Sequence, residues 1–178
     1  MKKLIVLIAI LSSASIYAEI FGTASTLREG TAMIGAEVQG YIDPNDFISN
    51  FHLGYGVIDD LDIDLRLGAG TTPFYFGGDL EYQFLRHEWL DISLAVGTHH
   101  QEEMFLDVTP IISHRFLRFS VSTGLDINWR LSGGKLLSMN WFFGTAVPIL
   151  RGVDLIVETG IRLKDAPYWV SGGLALYF

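Results

Sequence analysis

Thirteen charged side chains fall on one face of a two-residue repeat in this chain, and their types define the chemistry open to it. Ten are carboxylates: Glu37, Asp62, Asp64, Asp79, Glu81, Asp91, Asp107, Asp126, Asp154 and Glu158. Three are guanidiniums: Arg66, Arg130 and Arg162. Charges removed from water persist only when paired, hydrated or protonated, and three arginines satisfy only part of ten acids. The remaining carboxylates need water, a cation or a proton. Rings of Asp and Glu favour cations where they line a passage. The expectation is an acidic interior that, if it conducts, prefers small cations or other small solutes. No cofactor and no metal site are expected.

Strands must position these residues. From Phe119 to Leu131 the residues Phe119, Val121, Thr123, Leu125, Ile127, Trp129 and Leu131 share one face, while Ser120, Ser122, Gly124, Asp126, Asn128 and Arg130 share the other. A helix would scatter both sets around its circumference, whereas a strand sorts them. Leu61 to Ala69 and Val153 to Leu163 sort in the same way. The pattern predicts strands over 30–43, 46–58, 61–71, 74–85, 89–101, 104–116, 119–131, 136–149, 153–164 and 167–178. Eight strands is the alternative, reached if two weaker segments merge. Eleven strand residues at about 3.3 Å each, tilted by about 40°, rise about 28 Å, the height of the apolar band of an outer-membrane barrel. The apolar face of the ten segments carries no Asp, Glu, Lys or Arg.

Alternation alone does not separate a soluble sandwich from a membrane barrel. The two ends of the chain do. Lys2 and Lys3 precede the apolar run Leu4 to Leu11 and the small-residue stretch to Ala18, the layout of a cleaved secretory signal peptide over residues 1–18. Residues 19–178 are then expected to form a single transmembrane domain. At the other end, Ser171, Gly173, Leu176 and the terminal Phe178 resemble the C-terminal β-signal of small Gram-negative outer-membrane β-barrel proteins. That resemblance implies an all-β, antiparallel transmembrane barrel in a bacterial outer membrane. It also implies recognition by the barrel-assembly machinery and contact with outer-membrane lipid and lipopolysaccharide.

Composition agrees. A pI near 4.9 argues against nucleic-acid binding, and the absence of cysteine excludes disulfides and thiolate chemistry. Mean hydropathy is high at +0.34, yet no run of 18 apolar residues supplies a spanning helix. Aromatic residues are expected in two girdles: Phe84, Trp89, Phe116, Phe119 and Phe178 at one end, and Tyr41, Phe47, Phe76, Met104, Trp129 and Tyr168 (with one methionine among them) at the other.

The connections look short on both sides, which leaves no loop long enough to fold into a receptor or catalytic rim. No plug is expected. Many inward glycines suggest a hydrated lumen, and Pro110 inside the sixth strand suggests a bulge. Enzymatic readings are weak: His99 and His100 are adjacent, so on a strand they point to opposite faces. His52 and Asn50 face inward beside Glu37, a candidate hydrogen-bond network. Outward Thr123, Thr145 and Thr159 are a faint candidate contact surface. The leading reading is a small porin-like barrel. The alternatives are a non-conducting structural or interaction barrel and, more remotely, an outer-membrane enzyme.

Overall fold

The computed structural model describes residues 22–42, 45–71, 73–132 and 137–178, so the expected signal peptide lies outside the described residues. Ten strands follow one another: β1 (Ala32–Tyr41), β2 (Phe47–Ile58), β3 (Leu61–Gly70), β4 (Tyr75–Arg86), β5 (Leu90–Gln101), β6 (Glu103–Arg115), β7 (Ser120–Arg130), β8 (Leu137–Leu150), β9 (Val153–Lys164) and β10 (Trp169–Tyr177). Each pairs antiparallel with its sequence neighbour, and β1 pairs with β10 from Met33↔Tyr177 to Tyr41↔Trp169. The sheet is therefore a closed barrel in which every strand has two partners. Closure removes the unpaired edges that lipid would not tolerate.

The barrel has two rims. The turns at 59–60, 87–89, 116–119 and 151–152 lie at the rim that also holds the start of β1 and the end of β10, here termed the near rim. Residues 42, 45–46, 71, 73–74, 102, 131–132 and 165–168 lie at the opposite rim, the far rim.

Burial is inverted relative to a soluble domain. The interior holds Glu37, Asn50, His52, Asp91, Asp107, Asp126 and Glu158, each at most 5% exposed. The outer wall exposes Leu53, Leu65, Leu67, Leu80, Trp141, Val157 and Ile161. Water would solvate the first set and reject the second, so an apolar solvent around a polar core is the arrangement that satisfies both. Near the near rim, Phe116 stacks on Phe119 at 4.6 Å and His114 packs edge-on against Phe116 at 4.4 Å. Tyr41 departs from its expected place in the far girdle. It lies on the inward row of β1 and packs against the buried cluster that holds Trp169.

Pro110 introduces no bulge. The β6–β7 ladder keeps one register on both sides of it, from Val108↔Ile127 to Ile111↔Gly124. Its exposed position lets the missing N–H interrupt the ladder without an inserted residue. Register shifts occur elsewhere, between Gly56 and Ile58, Gln83 and Leu85, Met139 and Asn140, and Pro148 and Leu150.

Candidate functional site in the barrel lumen

All thirteen charged residues singled out above lie on the inward rows of their strands, but they do not share one environment. Glu37, Asp62, Arg66, Asp91, Asp107, Asp126 and Glu158 are buried; Asp64, Asp79, Glu81, Arg130 and Asp154 are half-buried; Arg162 is exposed at the far rim. Arg162 donates from Nε to the Ala166 carbonyl and lies over the Tyr168 ring at 5.1 Å, so it belongs to the mouth rather than the interior. Arg130 pairs with Glu103 at 3.0 Å, also toward the far rim.

The most continuous network crosses β1 to β4. Asn50 Nδ2 donates to Glu37 Oε1 at 3.1 Å, and His52 bridges Glu37 at 3.2 Å and Asp64 at 3.3 Å through its two ring nitrogens. Arg66 then approaches Asp64 at 3.5 Å and forms an ion pair with Asp79. The alternation placed these side chains in one row, and the register Glu37↔Asn50↔Gly68 with His52↔Arg66 brings them within reach. A second pair, His99 Nδ1 and Asp107 at 2.7 Å, sits between the stacked rings of Tyr75 and Phe105. His100 faces outward and stacks on Phe76, so the adjacent histidines serve different solvents. Asp126 accepts from Asn128 at 2.8 Å and Thr109 at 3.4 Å. At the near rim Asp91 accepts from Gln83 and Arg115, each at 2.8 Å. Among the described residues no group of three or more His, Asp or Glu is arranged to hold a metal ion.

The lumen contains a segment that the sequence reading did not place there. Before β1, residues 22–27 run inside the wall, with Gly22, Ala24 and Thr26 buried and Thr23, Ser25 and Leu27 half-buried. The Gly22 N–H donates to Glu158 Oε1 at 2.9 Å, Ala24 N–H to Ser113 Oγ at 2.7 Å, Thr26 N–H to Gln83 Oε1 at 3.2 Å, and Leu27 N–H to Asp62 Oδ2 at 2.8 Å. Chain reversal into β1 is made by a turn closed by Thr31 N–H donating to the Arg28 carbonyl at 2.9 Å. Gly30 holds the third position of that turn at φ +77°, the left-handed conformation a type II turn needs there. The expectation that no plug is encoded is thereby corrected: residues 22–27 occupy part of the lumen. The available signal was the run of small residues Gly22-Thr23-Ala24-Ser25-Thr26, slim enough to fit inside a ten-stranded wall.

The inward glycines also differ from expectation. Two of them seat large neighbours, since the Trp169 indole occupies the room a Cβ would need on Gly160 and the Phe142 ring does so at Gly124, while at Gly56 and Gly70 the neighbouring main chain fills that room. Ala24, Ile111, Phe142 and Trp169 form one buried apolar cluster inside the barrel. A cavity of about 100 Å³ remains, walled by Asp62, Asp64, Arg66, Asp79, Glu81, Asp107 and Asp126 on the barrel and by Thr23, Ser25 and Leu27 on the segment.

Sequence reasoning also missed Arg86 and Arg115, which sit at strand ends where the alternation fades. Arg86 donates to Thr26 Oγ1 at 2.9 Å and Gln83 Oε1 at 2.7 Å. The outward threonines are satisfied by the wall itself: Thr123 donates to the Phe142 carbonyl, Thr145 to that of Ser120, and Thr159 to that of Trp169. Of the C-terminal signal residues, Ser171 and Gly173 are buried inward and Leu176 and Phe178 are exposed outward.

No protein-family model and no curated protein sequence matches the chain. Among solved structures it is similar to an outer membrane channel, COG4313, from Pseudomonas putida F1, with a TM-score of 0.61 at 8% identity over 90% of this chain and 100% of that one. It is similar to the NanC porin with a TM-score of 0.59 at 5% identity, covering 80% of this chain and 98% of that one. Similarity to the KdgM porin has a TM-score of 0.50 at 11% identity, covering 83% and 99%. These likenesses establish the fold as that of outer-membrane β-barrels.

Proposed function

We propose that this chain is a small porin-like barrel of a bacterial outer membrane whose acidic lumen passes small cations in preference to anions. The observation that carries the reading is the luminal cavity, walled by six carboxylates against one guanidinium, inside a fold shared with porins and an outer membrane channel. A carboxylate-lined bore concentrates counter-ions and disfavours anions. The near rim, which carries the start of β1 and the end of β10, faces the periplasm on this reading.

Single-channel recording of the refolded chain from Glu19 to Phe178 in planar bilayers, under a KCl gradient, tests it. A heat-modifiable gel shift verifies folding. The expected result is discrete steps with a cation-selective reversal potential. A folded barrel without steps, or with anion selectivity, overturns the reading.

A second reading is a non-conducting structural barrel. The buried cluster of Ala24, Ile111, Phe142 and Trp169, lying across the lumen, favours it. Silent folded barrels are its expected result.

A further inference from the structure

We infer that residues 22–27 are a displaceable luminal strap, anchored by the turn from Arg28 to Thr31, that closes the cation path when docked and opens it when released toward the near rim. This inference rests on the porin-like reading above and goes beyond it.

Three observations carry it. First, the segment is held by four main-chain donors together with the hydroxyl of Thr26, which bonds Asp59, Gln83 and Arg86. Its N–H groups at Gly22, Ala24, Thr26 and Leu27 donate to side chains of β9, β6, β4 and β3 in turn, so it crosses the bore rather than joining the wall as a strand. Such bonds exchange with water at small net cost, each worth about fivefold in an equilibrium constant. Second, little apolar surface resists release. The segment is mostly Gly, Thr, Ala and Ser, and Ala24 is its contribution to the buried apolar cluster, with Leu27 packed at the edge of a second one. Third, the wall is complete without it, since β1 and β10 close the barrel by themselves.

The anchor is equally specific. Gly30 N–H donates to the Gly56 carbonyl and Gly56 N–H to the Thr31 carbonyl, both at 2.9 Å, which pins the turn to the start of the barrel. Motion is thus confined to the chain before that turn. Docking also spends two of the lumen acids, Glu158 and Asp62, on main-chain donors. Release frees both carboxylates and widens the bore together, so the open state conducts more and selects cations more strongly.

The test uses the chain from Glu19 to Phe178 carrying Gly22→Pro, Ala24→Pro and Thr26→Pro, which deletes three main-chain donors and the Thr26 hydroxyl and leaves the strands of the wall unchanged. Loss of three such bonds shifts the docking equilibrium on the order of 100-fold. Planar-bilayer recording is expected to show larger steps or a higher open fraction than wild type, with a reversal potential moved further toward cations. Ser25→Cys, in a chain with no native cysteine, supplies a readout independent of conduction. Its labelling by a membrane-impermeant maleimide is expected to be slow in the otherwise native chain and much faster with the prolines present. The single variant Ala24→Pro serves if the triple variant does not fold. Equal labelling rates overturn docking. Faster labelling with unchanged, non-zero conductance overturns the strap as a gate. Faster labelling with no conductance in either protein overturns the porin-like reading itself, and the gate with it.

Discussion

Trp169 on β10 lies directly across Gly160, its register partner on β9, and the indole fills the space where a Cβ would stand. A glycine beside a large aromatic lets the ring lie flat on the neighbouring strand and close the bore without splaying the wall. Gly160→Val is therefore expected to destabilise the barrel by about 1–3 kcal/mol through overpacking. Trp169→Ala in the same chain is expected to recover part of that loss, since the two changes share one space. Denaturant unfolding in phospholipid vesicles measures both.

His52 joins two acids that would otherwise repel across the lumen. His52→Ala is expected to cost about 1–3 kcal/mol by leaving Glu37 and Asp64 without their shared partner. A double-mutant cycle with Glu37→Ala is the check: a coupling of about 1 kcal/mol or more is expected for groups in one network. Additive effects would mean the bridge contributes nothing.

Arg66 is buried among acids, with Asp79 its ion-pair partner. Removing it alone, as Arg66→Met, is expected to destabilise by about 3–5 kcal/mol because an uncompensated buried charge remains. Pairing it with Asp79→Leu should restore much of the stability. In recordings of a variant that folds, Arg66→Met is expected to move the reversal potential toward cations.

The outer wall makes a prediction about its solvent. Leu65, midway along β3, and Leu117, in a near-rim turn, are both exposed and apolar. Leu65→Arg is expected to cost about 2–4 kcal/mol in vesicles and Leu117→Arg about 0–1, following depth in a bilayer. Equal small costs would show that water, not lipid, surrounds the wall.

The strands were legible because the outer face must satisfy lipid along its whole length, so a strict two-residue period is written into every segment. Each of the ten ends within two residues of its expected limit. The inward position of all thirteen charges follows from the same period. Their partners were not legible, because register and tilt decide which inward residues meet. His52 reaches Asp64 through the β2–β3 register, and nothing in either strand's own pattern specifies it. The glycines misled for a related reason: a missing side chain reads as space in one strand, while the adjacent strand supplies the Trp169 or Phe142 that fills it. Residues 22–27 escaped notice because a segment bonded through its main chain needs no side-chain pattern of its own.

The position of that segment also imposes an order in time. The wall is sealed where the first strand meets the last, and the segment is joined to the first strand through the turn at Gly30. One of its acceptors, Glu158, lies on β9, the ninth strand to be synthesised and the neighbour of the last. The inner chain cannot find its full set of partners until almost the entire wall exists, so the docking of residues 22–27 is completed only late in assembly.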